Sequence, residues 1–350
     1  MDFKFPVCHL FYYPSQVILV DDDSDFLDAV SLILPRNLSF RLFQSARQAL
    51  THINGAQQHA QLIRRVYSSY KTGPFDSDTL THIDINEIYK EIYDPERFST
   101  PSVVVVDYSM PSMNGLELCA SLSNPYIKRI LLTGQADTEI AVQAFNDGLI
   151  DQFISKKDQD LEGKLRRSIA SLQQHYFSKS FKLITDPVIA NSQSRFINNA
   201  EFISFFNQLQ EQKKIIEYYL VDEPYSGFLL LDELGKASLL LILTEAELLE
   251  NIRQCETAGA PSELIEALKT ATVMPLFHCA DNDTLIRQLQ ADTWQKYYTK
   301  AARVAPGSPY ICAVLESEHT SRLLRNFAPE KILSYRQYIN SSPSLTKFLH

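Results

Sequence analysis

At 350 residues, with 45% hydrophobic and 21% charged side chains and only 10 glycines and 16 prolines, the chain has the composition of an ordinary globular protein of about two domains, which excludes disordered, fibrous and mini-protein classes. The net charge of −9 is shared by both halves and offers no basic footprint for nucleic acid. Five cysteines without C-x-x-C spacing read as buried thiols of a reducing cytosol; with no apolar run of membrane-spanning length and no leader-like N-terminus, a soluble cytoplasmic protein without membrane contacts is expected.

Residues 1–15 read as an N-terminal extension. From Gln16, short β-branched runs alternate with amphipathic helical patterns: the strand VILV (17–20), a helix through FLDAVSLIL (26–34), the strand FRLFQ (40–44), and a helix through ARQALTHI with Ser45 as candidate N-cap. PSVVVVDY (101–108) is apolar on both faces, as a central parallel strand must be. RILLTG (129–134) and IDQFIS (150–155) are the fourth and fifth strands, flanking a helix that closes on Gly148, and a last helix runs through LEGKLRRSIASLQQHYF. The alternation predicts a doubly wound α/β domain over 16–175 with a five-stranded parallel sheet in the order 2-1-3-4-5. Residues 55–100 are too many for one connection, so an insertion is expected, with helical spacing of Ile85, Ile88 and Ile92 at its centre; its role is a surface patch or a partner-binding element.

The stretch 176–199 is polar, rich in Ser and Asn and broken by Pro187, and reads as a linker. Residues 200–350 then read as an α+β domain. A helix through EFISFFNQLQEQ precedes an antiparallel meander of IIEYYLVDE, GFLLLD and ASLLLILT. Helices through EAELLENIRQC and PSELIEALKTA follow, then VMPLF, a longer helix through TLIRQLQADTWQKYYTKAA, a strand YICAVLE and a final helix through PEKILSYRQYI.

The chemistry-bearing residues stand at the carboxyl ends of the parallel strands, where an open α/β sheet binds its ligand. VILV ends in Asp21-Asp22-Asp23, VVVV in Asp107, RILL in Thr133-Gly134 and IDQFIS in Lys156. Such a cluster of hard oxygens calls for a divalent cation, with Mg²⁺ the expected occupant. An acidic residue ahead of a helix is also an ordinary N-cap, and Asp23 or Asp25 has that plainer role open to it.

VILVDDDSDF (17–26), VVVVDYSMPSMNG (103–115), LLTG (131–134) and FISK (153–156), in this order, resemble the receiver domains of two-component response regulators, whose fold is flavodoxin-like. The resemblance implies that Asp107 is the phosphoacceptor, that Asp21, Asp22, Asp107 and the backbone carbonyl of Ser109 hold Mg²⁺, that Thr133 and Lys156 contact the phosphoryl oxygens, and that Phe153 is the switch aromatic. It implies a sensor histidine kinase or phosphotransfer protein as partner and no enzymatic activity beyond the protein's own phosphorylation and dephosphorylation. The family's proline after the strand-five lysine is replaced by Lys157.

The second half carries no helix-turn-helix, cyclase, phosphodiesterase or kinase signature. His278-Cys279 is a weak metal-ligand pair, and buried structural residues are the plainer reading. With its interrupted receiver and GFLLLDELGKASLLLILTE, the whole chain resembles a group of proteobacterial response regulators with an unclassified output domain, of the Legionella quorum-sensing type. This implies control of gene expression. A phosphorylation-controlled switch is therefore expected, with a homodimer in which Lys164, Arg166 and Arg167 pair with Asp137, Glu139 or Asp147. The alternatives are a DNA- or RNA-binding transcription regulator, using patches such as Lys213-Lys214 or Arg322 and Arg325, and a small-molecule-binding output module.

Overall fold

The valines 103–106 are fully buried, and their strand, Pro101–Asp107, is the middle of a five-stranded parallel sheet in the computed structural model of the chain, which describes residues 8–56, 58–71, 79–134, 138–190, 192–222, 224–276, 289, 293–324 and 327–341. The order is Phe40–Phe43, Gln16–Val20, Pro101–Asp107, Lys128–Thr133, Gln152–Ser155, the expected 2-1-3-4-5. Val17, Leu19, Val103, Val105 and Ile130 form one core face against Leu165, Ile169 and Leu172 of the helix Leu161–Ser180. Ile18, Val104, Val106 and Leu131 are also buried, so helices cover both faces of the sheet. At about 1.5–3 kcal/mol for each buried valine or leucine, this double-sided burial holds the central strand in place.

The insertion is less helical than its spacing predicts. Its described residues contain the helix Gln58–Val66, a two-stranded sheet of Tyr67–Lys71 and Thr79–Ile83, and a single α-turn at Asn86–Tyr89, followed by 3₁₀ turns at Lys90–Tyr93 and Arg97–Ser99. Thr79, Thr81 and Ile83 are β-branched and favour strand. Asp84 then turns the chain, its carboxylate accepting from Asn86 N at 2.9 Å. Glu91, buried in this segment, is ion-paired with Arg65.

The stretch expected as a linker is helical instead. Leu161–Ser180 continues past residue 175 and is followed by Lys182–Ala190 and a 3₁₀ run at Ser192–Asn198. Tyr176, Phe177, Phe181, Ile184 and Val188 recur at helical intervals and are all buried, and this apolar stripe outweighs the polar residues between them.

The other sheet has six strands in the order Phe11–Tyr12, Ile215–Val221, Gly227–Asp232, Ala237–Thr244, Tyr310–Glu316, Ala302–Arg303, with all neighbours antiparallel. The expected meander is its centre. The helix Ala200–Lys213, capped by Asn199, packs the Phe206 ring 5.0 Å from both Tyr218 and Phe228. Part of the long helix expected through 284–302 lies outside the described residues. From Thr293 the chain forms a 3₁₀ turn at Trp294–Lys296 and short strands at Tyr298–Lys300 and Ala302–Arg303, where Tyr298 pairs with Pro275. The final helix is interrupted between Pro329–Lys331 and Tyr335–Ser341. His278-Cys279 lies outside the described residues; Cys8, Cys119, Cys255 and Cys312 are buried free thiols.

The chain divides into two contact units that are not contiguous in sequence. One comprises Met1–Tyr12, Ile83–Lys90 and Thr185–Ile332; the other comprises Tyr13–His82, Glu91–Ile184 and Leu333–His350. The N-terminal extension thus contributes an edge strand to the antiparallel sheet, with Phe11 opposite Tyr219 and their rings stacked. In the unit of the parallel sheet, Arg97 donates to Leu333 O at 2.7 Å, Tyr335 Oη donates to Asn37 O at 2.8 Å, and the Tyr335 and Tyr338 rings lie 5.0 and 5.3 Å from Phe98. Among the described residues no helix is long and apolar enough to cross a membrane.

Candidate functional site

Parallel register brings the special residues to one edge of the sheet. Val20 is paired with Val106, Asp107 with Leu132 and Thr133 with Ser155, so Asp21, Asp107, Thr133 and Lys156 leave their strands side by side. Lys156 Nζ lies 2.7 Å from Asp21 Oδ2 and 2.7 Å from Asp107 Oδ1. Asp21 is 1% exposed and Asp107 5%, whereas Asp22 is open to solvent. Carboxylate oxygens of all three approach within 4.8 Å of one another.

The loops at this edge are built to hold the two buried aspartates. Asp23 caps the helix Ser24–Ile33, accepting from Asp25 N and Phe26 N, while Asp21 Oδ1 accepts from Asp23 N at 3.1 Å. Beyond Asp107 the chain folds back on itself. Ser109 N donates to Asp107 Oδ2 at 3.0 Å, Gly115 N donates to Tyr108 O at 3.1 Å, and Asn114 with Glu117 forms a capping box for the helix Gly115–Ala120. A Cβ at position 115 would meet Asp107 O at 2.3 Å, so the approach requires glycine.

Burial pushes the Asp21 carboxyl up; Lys156 and the Asp23 amide pull it down, Asp107 adds to the rise, and the net shift is upward. Burial pulls the Lys156 ammonium down, but Asp107 and Asp21 outweigh it and hold it above the usual lysine range. Asp21 Oδ2 is buried and has the Lys156 ammonium as its one neighbouring cation among the described residues. Three carboxylates against one ammonium leave excess negative charge on hard oxygens. These residues fit a hard divalent cation.

Of the residues singled out from the sequence, Asp21, Asp22, Asp107 and Lys156 are brought together, and Ser109 meets Asp107 through its N–H. Thr133 is buried at the adjacent strand end, its carbonyl accepting from Lys156 N at 3.0 Å. Phe153 is not part of this cluster: 36% exposed, it meets Phe145 edge-on with ring centroids 6.4 Å apart. The basic residues expected to pair across a dimer have partners in their own chain. Lys164 pairs with Asp158, Arg166 with Glu162 and Ile33 O, and Arg167 with Asp160; Asp137 lies outside the described residues. Sequence reasoning missed Phe26, whose ring centroid is 4.6 Å from Lys156 Nζ. Where the family has proline, Lys157 N donates to Ser155 Oγ at 3.3 Å.

The family model described as the response regulator receiver domain matches residues 76–166, which include Asp107, Thr133 and Lys156 but not the Asp21-Asp22 pair on the far side of the insertion. The solved structure of the Legionella pneumophila response regulator LqsR is 30% identical, with 98% of each chain covered and a TM-score of 0.76. A response regulator receiver domain protein from Clostridium thermocellum is 15% identical over 48% of this chain and 98% of its own, with a TM-score of 0.30. No curated protein matches. With a relative alike over nearly its whole length and the receiver residues assembled at one sheet edge, the chain belongs to the response regulators.

Proposed function

We propose that the chain is the phosphoacceptor of a two-component relay, with Asp107 as the residue modified and a histidine kinase or phosphotransfer protein as donor. The observation that carries this reading is the bridge of Lys156 between Asp21 and Asp107, at 2.7 Å to each, at the carboxyl edge of a parallel sheet. An Asp107 oxygen attacks the phosphorus of a phosphohistidine. The new O–P bond forms as the P–N bond breaks, and the imidazole leaves with the electron pair and takes up a proton. Ser109 N and Lys156 Nζ each engage one oxygen of Asp107 and so fix the carboxylate plane before attack. Lys156 then offers its charge to the phosphoryl oxygens, and the Thr133 hydroxyl donates to one of them. Asp21, Asp22, Asp107 and the Ser109 carbonyl would hold Mg²⁺, which when bound offsets negative charge on the transferred group.

Phosphorylation then acts as a switch on Phe153 and on the output unit, with dimerisation as one readout and, following the resemblance, quorum-sensing control of gene expression as its setting. The test is incubation with acetyl phosphate and Mg²⁺. One acid-labile phosphoryl group on Asp107, lost in Asp107→Asn, is the expected result; a phosphoryl group located on another residue overturns the reading.

A further inference from the structure

We propose that Phe26 is a positioning residue that holds the Lys156 ammonium between the two buried aspartates. This rests on the reading of Asp107 as phosphoacceptor. A lysine presents a compact charge with three N–H donors on a flexible four-carbon stem, so by itself it keeps no fixed place. Here Asp21 Oδ2 and Asp107 Oδ1 each lie 2.7 Å from Nζ, and the Phe26 ring supplies a third contact at 4.6 Å to its centroid. That separation is within the range where the negative face of an aromatic ring attracts a cation. The ring is itself fixed at both ends. Its backbone N–H donates to Asp23 Oδ1 at 3.1 Å, and its side chain packs against the apolar core of the parallel sheet.

The third aspartate of the Asp21-Asp22-Asp23 run thereby gains a role in the site. Asp23 is no member of the carboxylate cluster; it caps the helix and sets the ring that steadies the lysine. An aliphatic residue of similar bulk at position 26 keeps the packing and loses the attraction, whereas tyrosine keeps both.

The test uses the full-length protein with Phe26→Leu, Phe26→Tyr, Lys156→Gln and the Phe26→Leu/Lys156→Gln double variant. Two quantities are read: the rate of Asp107 phosphorylation by acetyl phosphate with Mg²⁺, and the NMR shifts of the Lys156 ε-methylene. Phe26→Leu is expected to slow phosphorylation roughly two- to fivefold, the factor that corresponds to an exposed cation–π contact. Phe26→Tyr should restore the rate, and Phe26→Leu should add nothing in the Lys156→Gln background. The ε-methylene shift, set by the ring current of Phe26, should move in Phe26→Leu and not in Phe26→Tyr. Equal slowing by Phe26→Leu in both backgrounds reduces Phe26 to a packing residue and overturns the inference, as does an unchanged ε-methylene shift. Wild-type protein phosphorylated elsewhere than Asp107 overturns the reading of the site instead, and the shift then still reports whether the ring holds the lysine.

Discussion

Gly115→Ala tests how tightly the loop after Asp107 is built. A Cβ placed on this backbone lies 2.3 Å from Asp107 O, 3.0 Å from Leu131 Cδ1 and 3.1 Å from Asp107 C. Two of these atoms are backbone, so no side-chain rotation relieves the clash, and the 108–114 loop or Asp107 itself must retreat by about 1 Å to restore a carbon–oxygen contact. Overpacking of this kind costs about 1–3 kcal/mol. Alanine is a better helix former than glycine by about 1 kcal/mol in a helix interior, but residue 115 is the first of its helix and recovers only part of that. A net loss of about 1–2 kcal/mol is expected, read as a lower urea midpoint for the unit holding the parallel sheet. Function should suffer more than stability. Displacing a reacting carboxylate by about 1 Å costs on the order of a hundredfold in rate, so phosphorylation by acetyl phosphate should fall far more than the folded fraction. A variant as stable and as quickly phosphorylated as wild type would show that the loop yields freely and that its fit to Asp107 does not matter.

Asp22→Ala should weaken Mg²⁺ binding in a calorimetric titration, since it removes one of the three clustered carboxylates; unchanged affinity would take Asp22 out of the proposed metal site. His52 should titrate below the ordinary imidazole value of 6.5, because burial and then the Arg41 guanidinium disfavour its charged form. A folded-state pKa below the unfolded one contributes stability that is present above pH 6.5 and lost as the pH falls through the folded value; an NMR midpoint above 6.5 would contradict this. Arg97→Met removes the side-chain donor from Leu333 O, and a buried carbonyl left without a partner costs about 1–3 kcal/mol. Faster amide exchange across residues 333–341 is therefore expected, and unchanged protection would mean that the segment is held by its aromatic contacts and tyrosine hydroxyl hydrogen bonds without Arg97.

The parallel sheet and its acidic edge were legible because both are local in sequence. VILV and VVVV are too apolar for a strand with a wet face, and each is followed at once by its aspartate. What escaped depends on distant partners. Tyr176, Phe177 and Phe181 sit among serines and lysines, so composition suggested a linker where periodicity made a helix. The pairing of Phe11 with Tyr219 and the packing of Tyr335 on Phe98 join residues more than two hundred positions apart, which no window of the sequence displays. The YYTK segment held apolar residues at intervals compatible with a helix, yet Tyr298 pairs with Pro275 in a strand. Phe26 looked like one more apolar position of an amphipathic helix, and only the folded sheet puts Lys156 beside it.

The most direct test is to locate the phosphoryl group after reaction with a small phosphodonor and Mg²⁺, by mass spectrometry of the wild type beside Asp107→Asn and Lys156→Gln. One acid-labile group on Asp107, absent from Asp107→Asn and formed far more slowly in Lys156→Gln, is the expected result. Equal labelling of Asp107→Asn, or a rate indifferent to the loss of Lys156, would contradict the assignment of this sheet edge as the phosphoacceptor site.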